Sequence, residues 1–327
     1  YLLSYLEAIL RVYNVAGRRD NIYKARIKIL VEAMGINAFS DAVDAEWVRI
    51  KDSAVDLPET EKHRIMAQFA RPSLPPVSEA ALTTRKRRRD DAGFDCWLGN
   101  NTHPHWHDGY VSASISLKQL GRPPGDAAAA EMIAMADLAD QFGRGELRVT
   151  YSQNIIIPHI PRDQLAAFYD ALRTAGLAGA ENGLISDMIA CPGLDYCNLA
   201  NTRSVPLADT LFARFGSPEM RQDIGALRLN ISGCINACGH HHAADIGILG
   251  VNKKGAEHFQ ISLGGRAGED AAVGRIIGPS IAEDEVPDAI AALIGIYRAN
   301  RQAGGSFAVS LARLGTEPFK AALHGRS

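Results

Sequence analysis

The sequence predicts an α+β fold: two successive α/β units preceded by a helical segment. Three observations carry this expectation. Residues 1–70 place apolar side chains at helical spacing, residues 93–178 alternate strand and helix patterns, and residues 179–327 combine strand runs with one long amphipathic helix. A chain of 327 residues has room for about two domains. Its 46% hydrophobic and 22% charged residues are ordinary for a globular protein, which excludes a disordered chain or a collagen.

Leu2, Leu3, Leu6, Ile9, Leu10 and Tyr13 mark a first helix that Gly17 stops. A second helix is expected over Asp20–Met34, with Ile22, Ala25, Ile29 and Leu30 on its apolar face. Shorter helices are expected at Asp41–Val48 and Glu59–Phe69. Residues 71–92 read as a connector broken by Pro72, Pro75 and Pro76. Its basic run Arg85–Arg89 meets Asp90 and Asp91 and has no interleaved aromatic residues, so it reads as a solvated linker rather than a nucleic-acid patch.

Tyr110–Leu117 alternates as a strand. Asp126 is placed to cap a helix that runs to Phe142, with Ile133, Leu138 and Phe142 inward. Strands at Glu146–Ser152 and Asn154–Ile160 follow, then a helix opened by Pro161 that buries Leu165, Phe168 and Leu172. Strand, helix, strand, strand, helix is much of a ferredoxin-like sandwich. Beyond residue 179, strands are expected at Leu184–Ala190, Leu227–Ser232, Asp245–Val251 and Phe259–Leu263. A helix at Asp284–Gln302 should turn Ile290, Leu293, Ile294 and Tyr297 inward. The expected divisions are 1–92, 93–178 and 179–327.

The 35 basic and 37 acidic residues give a net charge of −2, so the chain has no general attraction to nucleic acid or an anionic membrane. No apolar run approaches the ~18 residues of a membrane span. The chain opens on Tyr1 inside a helical pattern, without a signal peptide. It is therefore expected to be a cytoplasmic fragment whose N-terminal part is missing.

Of the 5 cysteines, four are grouped, which suggests a metal or redox centre in a reducing compartment. Cys191 and Cys197 form C-x5-C; Cys234 and Cys238 form C-x3-C. Four thiolates are the usual shell of a 4Fe-4S cluster. Zinc is the rival, but its knuckles use two to four intervening residues, and C-x5-C falls outside that range. Four unligated core thiols are the remaining reading. Gly193, Gly233 and Gly239 remove side-chain bulk where backbone must lie against a cofactor. One helical turn between Cys234 and Cys238 would face both the same way.

These motifs resemble the sirohaem sulfite and nitrite reductase family. The likeness is carried by Ala190–Cys197, by Asn230–Gly239 and by Ala244–Gly250, which includes the Asp245-Ile-Gly-Ile run. Arg148–Ile157 is similar to the family's R-x-T-x-x-Q-N strand pair, Phe259–Gly265 to its strand ending in Gly-Gly, and Asp20–Lys28 to its N-x-x-K-A-R-x-K helix in the connector.

The resemblance implies a ferredoxin-like half-domain followed by a larger α/β domain binding a 4Fe-4S cluster and sirohaem, both preceded by the helical tail of an earlier repeat. It implies cluster ligands at Cys191, Cys197, Cys234 and Cys238, with Cys238 bridging to the sirohaem iron. Cofactor contacts are expected from Arg148, Gln153, Asn154, Asn236, Gly239 and His240. The implied reaction is the six-electron reduction of sulfite to sulfide. Local likeness to bacterial sulfite reductases near Cys191 ranks sulfite first, with nitrite as the alternative. A non-catalytic Fe–S or zinc module is the reading from a different class. No Gly-rich dinucleotide fingerprint follows a strand, so electrons would come from a separate flavoprotein or ferredoxin. The family's substrate-binding cations lie in the earlier half, so this fragment alone is expected to be inactive.

Two histidine groups remain. His240–His242 cannot all face one site on regular structure, and a mixture of packing and exposure is the preferred reading. His103, His105 and His107 alternate, yet no acid or cysteine at fixed spacing completes a metal site, which favours a loop. Cys96, beside Trp97, is expected to be a buried free thiol.

Overall fold

The computed structural model describes residues 1–53, 55, 57–77 and 91–324. The Arg85–Arg89 run and Asp90 lie outside the described residues. The chain divides into two compact units, Tyr1–Pro75 and Pro76–Ser327. The stretches 93–178 and 179–327 both belong to the second.

The first unit is helical: α1 (Leu2–Ala16), α2 (Ile27–Met34), α3 (Ile36–Ile50) and α4 (Glu59–Gln68). Ala8, Leu30, Phe39, Val43 and Ile50 form its core. Gly17 ends α1 as expected, its N–H donating to the Tyr13 carbonyl at 2.8 Å. The second helix is shorter than Asp20–Met34. Asn21 accepts a hydrogen bond from the Tyr23 N–H at 2.9 Å and closes a single turn at Ile22–Lys24. A short polar side chain that captures nearby backbone N–H groups competes with the helix. Arg26 is then extended, and Ile22 is 80% exposed rather than packed.

The second unit opens with α5 (Ala92–Asn101), β1 (Thr102–Pro104), β2 (Tyr110–Ile115), α6 (Ala129–Phe142), β3 (Arg148–Val149), β4 (Ile155–Pro161) and α7 (Leu165–Thr174). The strands form an antiparallel sheet ordered β1-β2-β4-β3. Trp97, Ile115, Ile157, Ile160, Phe168 and Leu172 fill its core. Helix α5 was not expected; Asp91 caps it by accepting from the Phe94 N–H at 3.0 Å. Trp97 points into the core, so its neighbour Cys96 turns outward and is exposed, not buried. Helix α6 starts at Ala129, not at Asp126, because Glu131 takes the Ala128 N–H at 2.7 Å. Met135 faces the core, and Ile133 is exposed rather than buried.

The rest of this unit comprises β5 (Ile189–Ala190), α8 (Val205–Phe215), α9 (Pro218–Ile224), β6 (Leu229–Ser232), β7 (Ile246–Lys253), β8 (Ala256–Leu263), β9 (Arg275–Ile276), β10 (Ile281–Ala282), α10 (Val286–Asn300), α11 (Phe307–Leu314) and α12 (Glu317–His324). The sheet order is β10-β8-β7-β6-β5, with β9 on β8. Strands β5, β6 and β7 pair in parallel, and β8 returns antiparallel to β7. Helix α10 buries Ile290, Leu293, Ile294 and Tyr297 as expected. The strand expected from Leu184 contracts to two residues, and Leu184 keeps only an isolated bridge to Ala226.

A buried polar joint ties the two sheets together. The Lys118 ammonium donates to the Ser152 carbonyl at 2.6 Å, the Gln153 carbonyl at 3.0 Å and Asn154 Oδ1 at 3.0 Å. It lies 3.5 Å from Asp187, which also accepts from Asn154 Nδ2 at 2.8 Å. Burial pushes the Lys118 pKa down, against the opposing pull of Asp187 and Glu181. Removing one member of a buried pair strands the other charge. Lys118→Met is therefore expected to lower stability by about 3 kcal/mol in denaturant unfolding.

Candidate iron-sulfur site

The two cysteine pairs follow neighbouring parallel strands. Ile189 and Ala190 of β5 lie opposite Asn230 and Ile231 of β6, so Cys191 and Cys234 emerge from the same end of the sheet. Ligands of open α/β sheets gather beyond the carboxyl ends of the strands. The loops after these strands are stitched together by backbone hydrogen bonds. The Cys191 N–H donates to Ile231 at 3.1 Å, Asn201 and Thr202 donate to Gly233 at 2.8 and 3.2 Å, and Leu194 donates to Thr202 at 3.0 Å.

Glycine is required for this approach. Gly193 has φ +62°, and a Cβ there would lie 2.4 Å from the Ser204 nitrogen. At Gly233 a Cβ would come within 2.8 Å of the Thr202 carbonyl oxygen and 3.1 Å of the Gly193 Cα. The loops therefore meet glycine against glycine.

The thiols occupy a graded environment. Cys191 and Cys234 are each 8% exposed, Cys197 is half-buried and Cys238 is exposed. The Gly233 N–H donates to Cys191 Sγ at 3.0 Å, and the Ser204 hydroxyl lies 3.4 Å from the same sulfur. Such bonds stabilise a thiolate and lower its charge density. No helical turn joins Cys234 to Cys238. Ala237 and His240 adopt left-handed backbone, with φ +59° and +53°. Gly239 folds back on β6, where a Cβ would sit 1.9 Å from the Ile231 carbonyl oxygen. That reversal leaves Cys234 inside and Cys238 outside.

All four candidate donors are thiols, which suits an iron-sulfur cluster. Among the described residues, no three His, Cys, Asp or Glu side chains form a group that could hold a metal ion.

The other expected site residues lie as follows. Asn236 and His240 are exposed, and Gly239 is buried. The His240 carbonyl accepts from Asn230 Nδ2 at 3.2 Å. Arg148 is exposed and paired with Glu146 at 2.5 Å. Gln153 bonds the backbone of Ala190, and Asn154, only 1% exposed, bonds Lys118, Leu117 and Asp187. Both side chains bond protein groups.

His103 lies on β1 rather than in a loop, its Nε2 meeting Ser114 Oγ at 2.7 Å; His105 Nε2 meets His159 Nδ1 at 2.8 Å and its Nδ1 accepts from the His107 N–H at 3.0 Å, while His107 Nδ1 accepts from the Gly109 N–H at 3.3 Å. His241 is buried with its Nδ1 unpartnered, and burial, with a smaller effect of His242, lowers its pKa from 6.5 to about 4. The sequence reading missed Lys118, Ser204 and His159; no local pattern marks them.

The profile of the family described as "Nitrite and sulphite reductase 4Fe-4S domain" matches residues 1–51 and 189–327. That of the "Nitrite/Sulfite reductase ferredoxin-like half domain" matches residues 119–175. The chain belongs to the nitrite and sulfite reductase family. It is 27% identical over 312 residues to the assimilatory ferredoxin-dependent nitrite reductase of Haloferax mediterranei, covering 92% of this chain and 48% of that protein. It is 26% identical over 313 residues to sulfite reductase (ferredoxin) 2 of Mycolicibacterium paratuberculosis, covering 92% and 49%. The solved structure of the Mycobacterium tuberculosis NirA protein shares the fold, with a TM-score of 0.63 and 22% identity over 97% of this chain and 53% of that one. The chain spans about half the length of the curated relatives it matches.

Two outcomes follow from the geometry. Gly193→Ala should destabilise the protein by about 2 kcal/mol in urea unfolding, since it adds both strain and a backbone clash. His241 stays neutral in the folded protein down to about pH 4, whereas an unfolded histidine protonates near 6.5. Between those values the unfolded state binds more protons, so His241's contribution is complete above about pH 6.5 and lost as the pH falls toward 4. His241→Gln should flatten that part of the stability-against-pH curve.

Proposed function

We propose that the protein carrying this chain reduces a small oxyanion by six electrons, at a sirohaem joined to a 4Fe-4S cluster through Cys238. The observation that carries this reading is the burial gradient of the four thiols. Cys191 and Cys234 sit inside and Cys238 faces outward, as a thiolate shared with a second group beyond the cluster would have to. When bound, the sirohaem and cluster would supply the electrons for reducing the oxyanion one at a time.

The chain's own part is to hold and insulate. Cys191, Cys197, Cys234 and Cys238 hold the cluster. The Gly233 N–H and the Ser204 hydroxyl offset charge on the Cys191 sulfur. The glycine-on-glycine contact keeps the two loops close, and the apolar core beneath Cys191 and Cys234 excludes water from the inner side of the site.

Sulfite is the first reading of the substrate, supported by the local likeness near Cys191 and by the sulfite reductase among the relatives. Nitrite is the second, supported by the ferredoxin–nitrite reductases of Haloferax mediterranei and Synechococcus elongatus. Ferredoxin is the electron donor those names favour, with a flavoprotein as the alternative. Since the chain spans about half of these relatives, turnover is proposed for the protein that contains it, not for residues 1–327 alone.

Anaerobic assay with a strong artificial reductant should release sulfide from sulfite with a higher kcat/KM than ammonium from nitrite. A clear preference for nitrite would reverse the order, and turnover of neither would end the proposal. Cys234→Ser should remove iron and acid-labile sulfide together. Retention of both at the wild-type level would exclude Cys234 as a ligand.

A further inference from the structure

We infer that Gln153 is a positioning residue for the cluster: it acts across the two sheets on the backbone that presents Cys191. The inference rests on the proposed cluster ligation and goes beyond it, because it assigns a role to a side chain in the ferredoxin-like part of the chain.

Gln153 Nε2 donates to the Ala190 carbonyl at 2.8 Å, and its Oε1 accepts from the Ala190 N–H at 3.1 Å. One carboxamide thus occupies both backbone groups of a single residue, as an added strand would. Ala190 is the last residue of β5 and directly precedes Cys191. With both groups of Ala190 fixed, and the Cys191 N–H bound to Ile231, the direction in which Cys191 leaves the sheet is set.

The presentation of Gln153 is itself elaborate. Its backbone is left-handed, at φ +58°, which costs a non-glycine residue about 1 kcal/mol. Room for it depends on Gly125, where a Cβ would come within 2.9 Å of the Gln153 Cβ and where φ is +93°. The Lys118 ammonium binds the carbonyls of Ser152 and Gln153 from the other side. A strained residue held by a buried cation and a glycine is over-determined, and its side chain ends on the residue before a cluster ligand.

The chemical consequence concerns the Cys191 sulfur. Its bond from the Gly233 N–H, 3.0 Å long, depends on where the Cys191 backbone lies. Hydrogen bonds to cluster sulfurs tune the cluster's electronics, and partners that orient a ligand typically alter metal affinity by 10–100-fold. Removing the Gln153 carboxamide should therefore change how the cluster is held and its spectrum, not only the stability of the fold.

The test uses the full-length, cluster-loaded protein and the variants Gln153→Met, which removes both bonds, and Gln153→Glu, which keeps the acceptor and removes the donor. Iron release to a chelator under anaerobic conditions, the far-UV circular dichroism and the EPR spectrum of the reduced cluster are measured. Iron release about 10-fold faster than wild type, with unchanged circular dichroism and an altered EPR spectrum, supports the assignment. If Gln153→Met does not fold, Gln153→Glu decides by the same readings. Wild-type release rates with superimposable EPR spectra overturn it, as does faster release with an unaltered spectrum. Cys191→Ser is run alongside. If it keeps full iron and sulfide, the cluster reading itself fails; if it loses them while the Gln153 variants match wild type, only the positioning role fails.

Discussion

The parallel pairing of β5 with β6 is the constraint on which the site depends. It is short, with only Ile189 and Ala190 facing Asn230 and Ile231. Yet it places two chain segments far apart in sequence at one sheet edge and points both onward in the same direction. Every later contact builds on that alignment: the Cys191 N–H on Ile231, Asn201 and Thr202 on Gly233, and Gly193 against Gly233. A two-residue ladder cannot hold such an arrangement alone, and the carboxamide of Gln153 lies on Ala190 where another strand would pair.

The sequence made the candidate site legible and left its supports hidden. The cysteine spacings and neighbouring glycines are local signals, so they can be read without knowing the fold. Gly193 and Gly233 prove to be packing necessities, as their positions beside Cys191 and Cys234 suggested. Lys118 could not be read the same way. Its partners Ser152, Gln153, Asn154 and Asp187 come from other strands and loops, and a lysine after a strand ordinarily faces solvent.

The misread elements have equally specific causes. Capture of backbone by Asn21 shortens the second helix, and capture of the Ala128 N–H by Glu131 delays the start of α6. Both are side-chain bonds of a few residues' reach that hydrophobic periodicity does not register. Helix α8 was not expected, although Leu207, Leu211 and Phe215 stand at helical spacing, and all three are buried in the core. The reversal between Cys234 and Cys238 is different in kind. It follows from Gly239 packing on the Ile231 carbonyl, a contact that exists only once β6 is in place.

The burial of Lys118 has a consequence for ionic strength. Surface pairs such as Arg49–Glu46 and Arg64–Glu61 lie in solvent, where dissolved ions reach them and weaken their attraction. Lys118 and Asp187 are closed off, with side chains 1% and 8% exposed, so mobile ions cannot come between them. The joint between the ferredoxin-like sheet and the cluster-bearing sheet is therefore insulated from salt. Electrolyte can alter how this protein meets a charged partner while leaving the internal spacing from Lys118 through Gln153 to Cys191 unchanged.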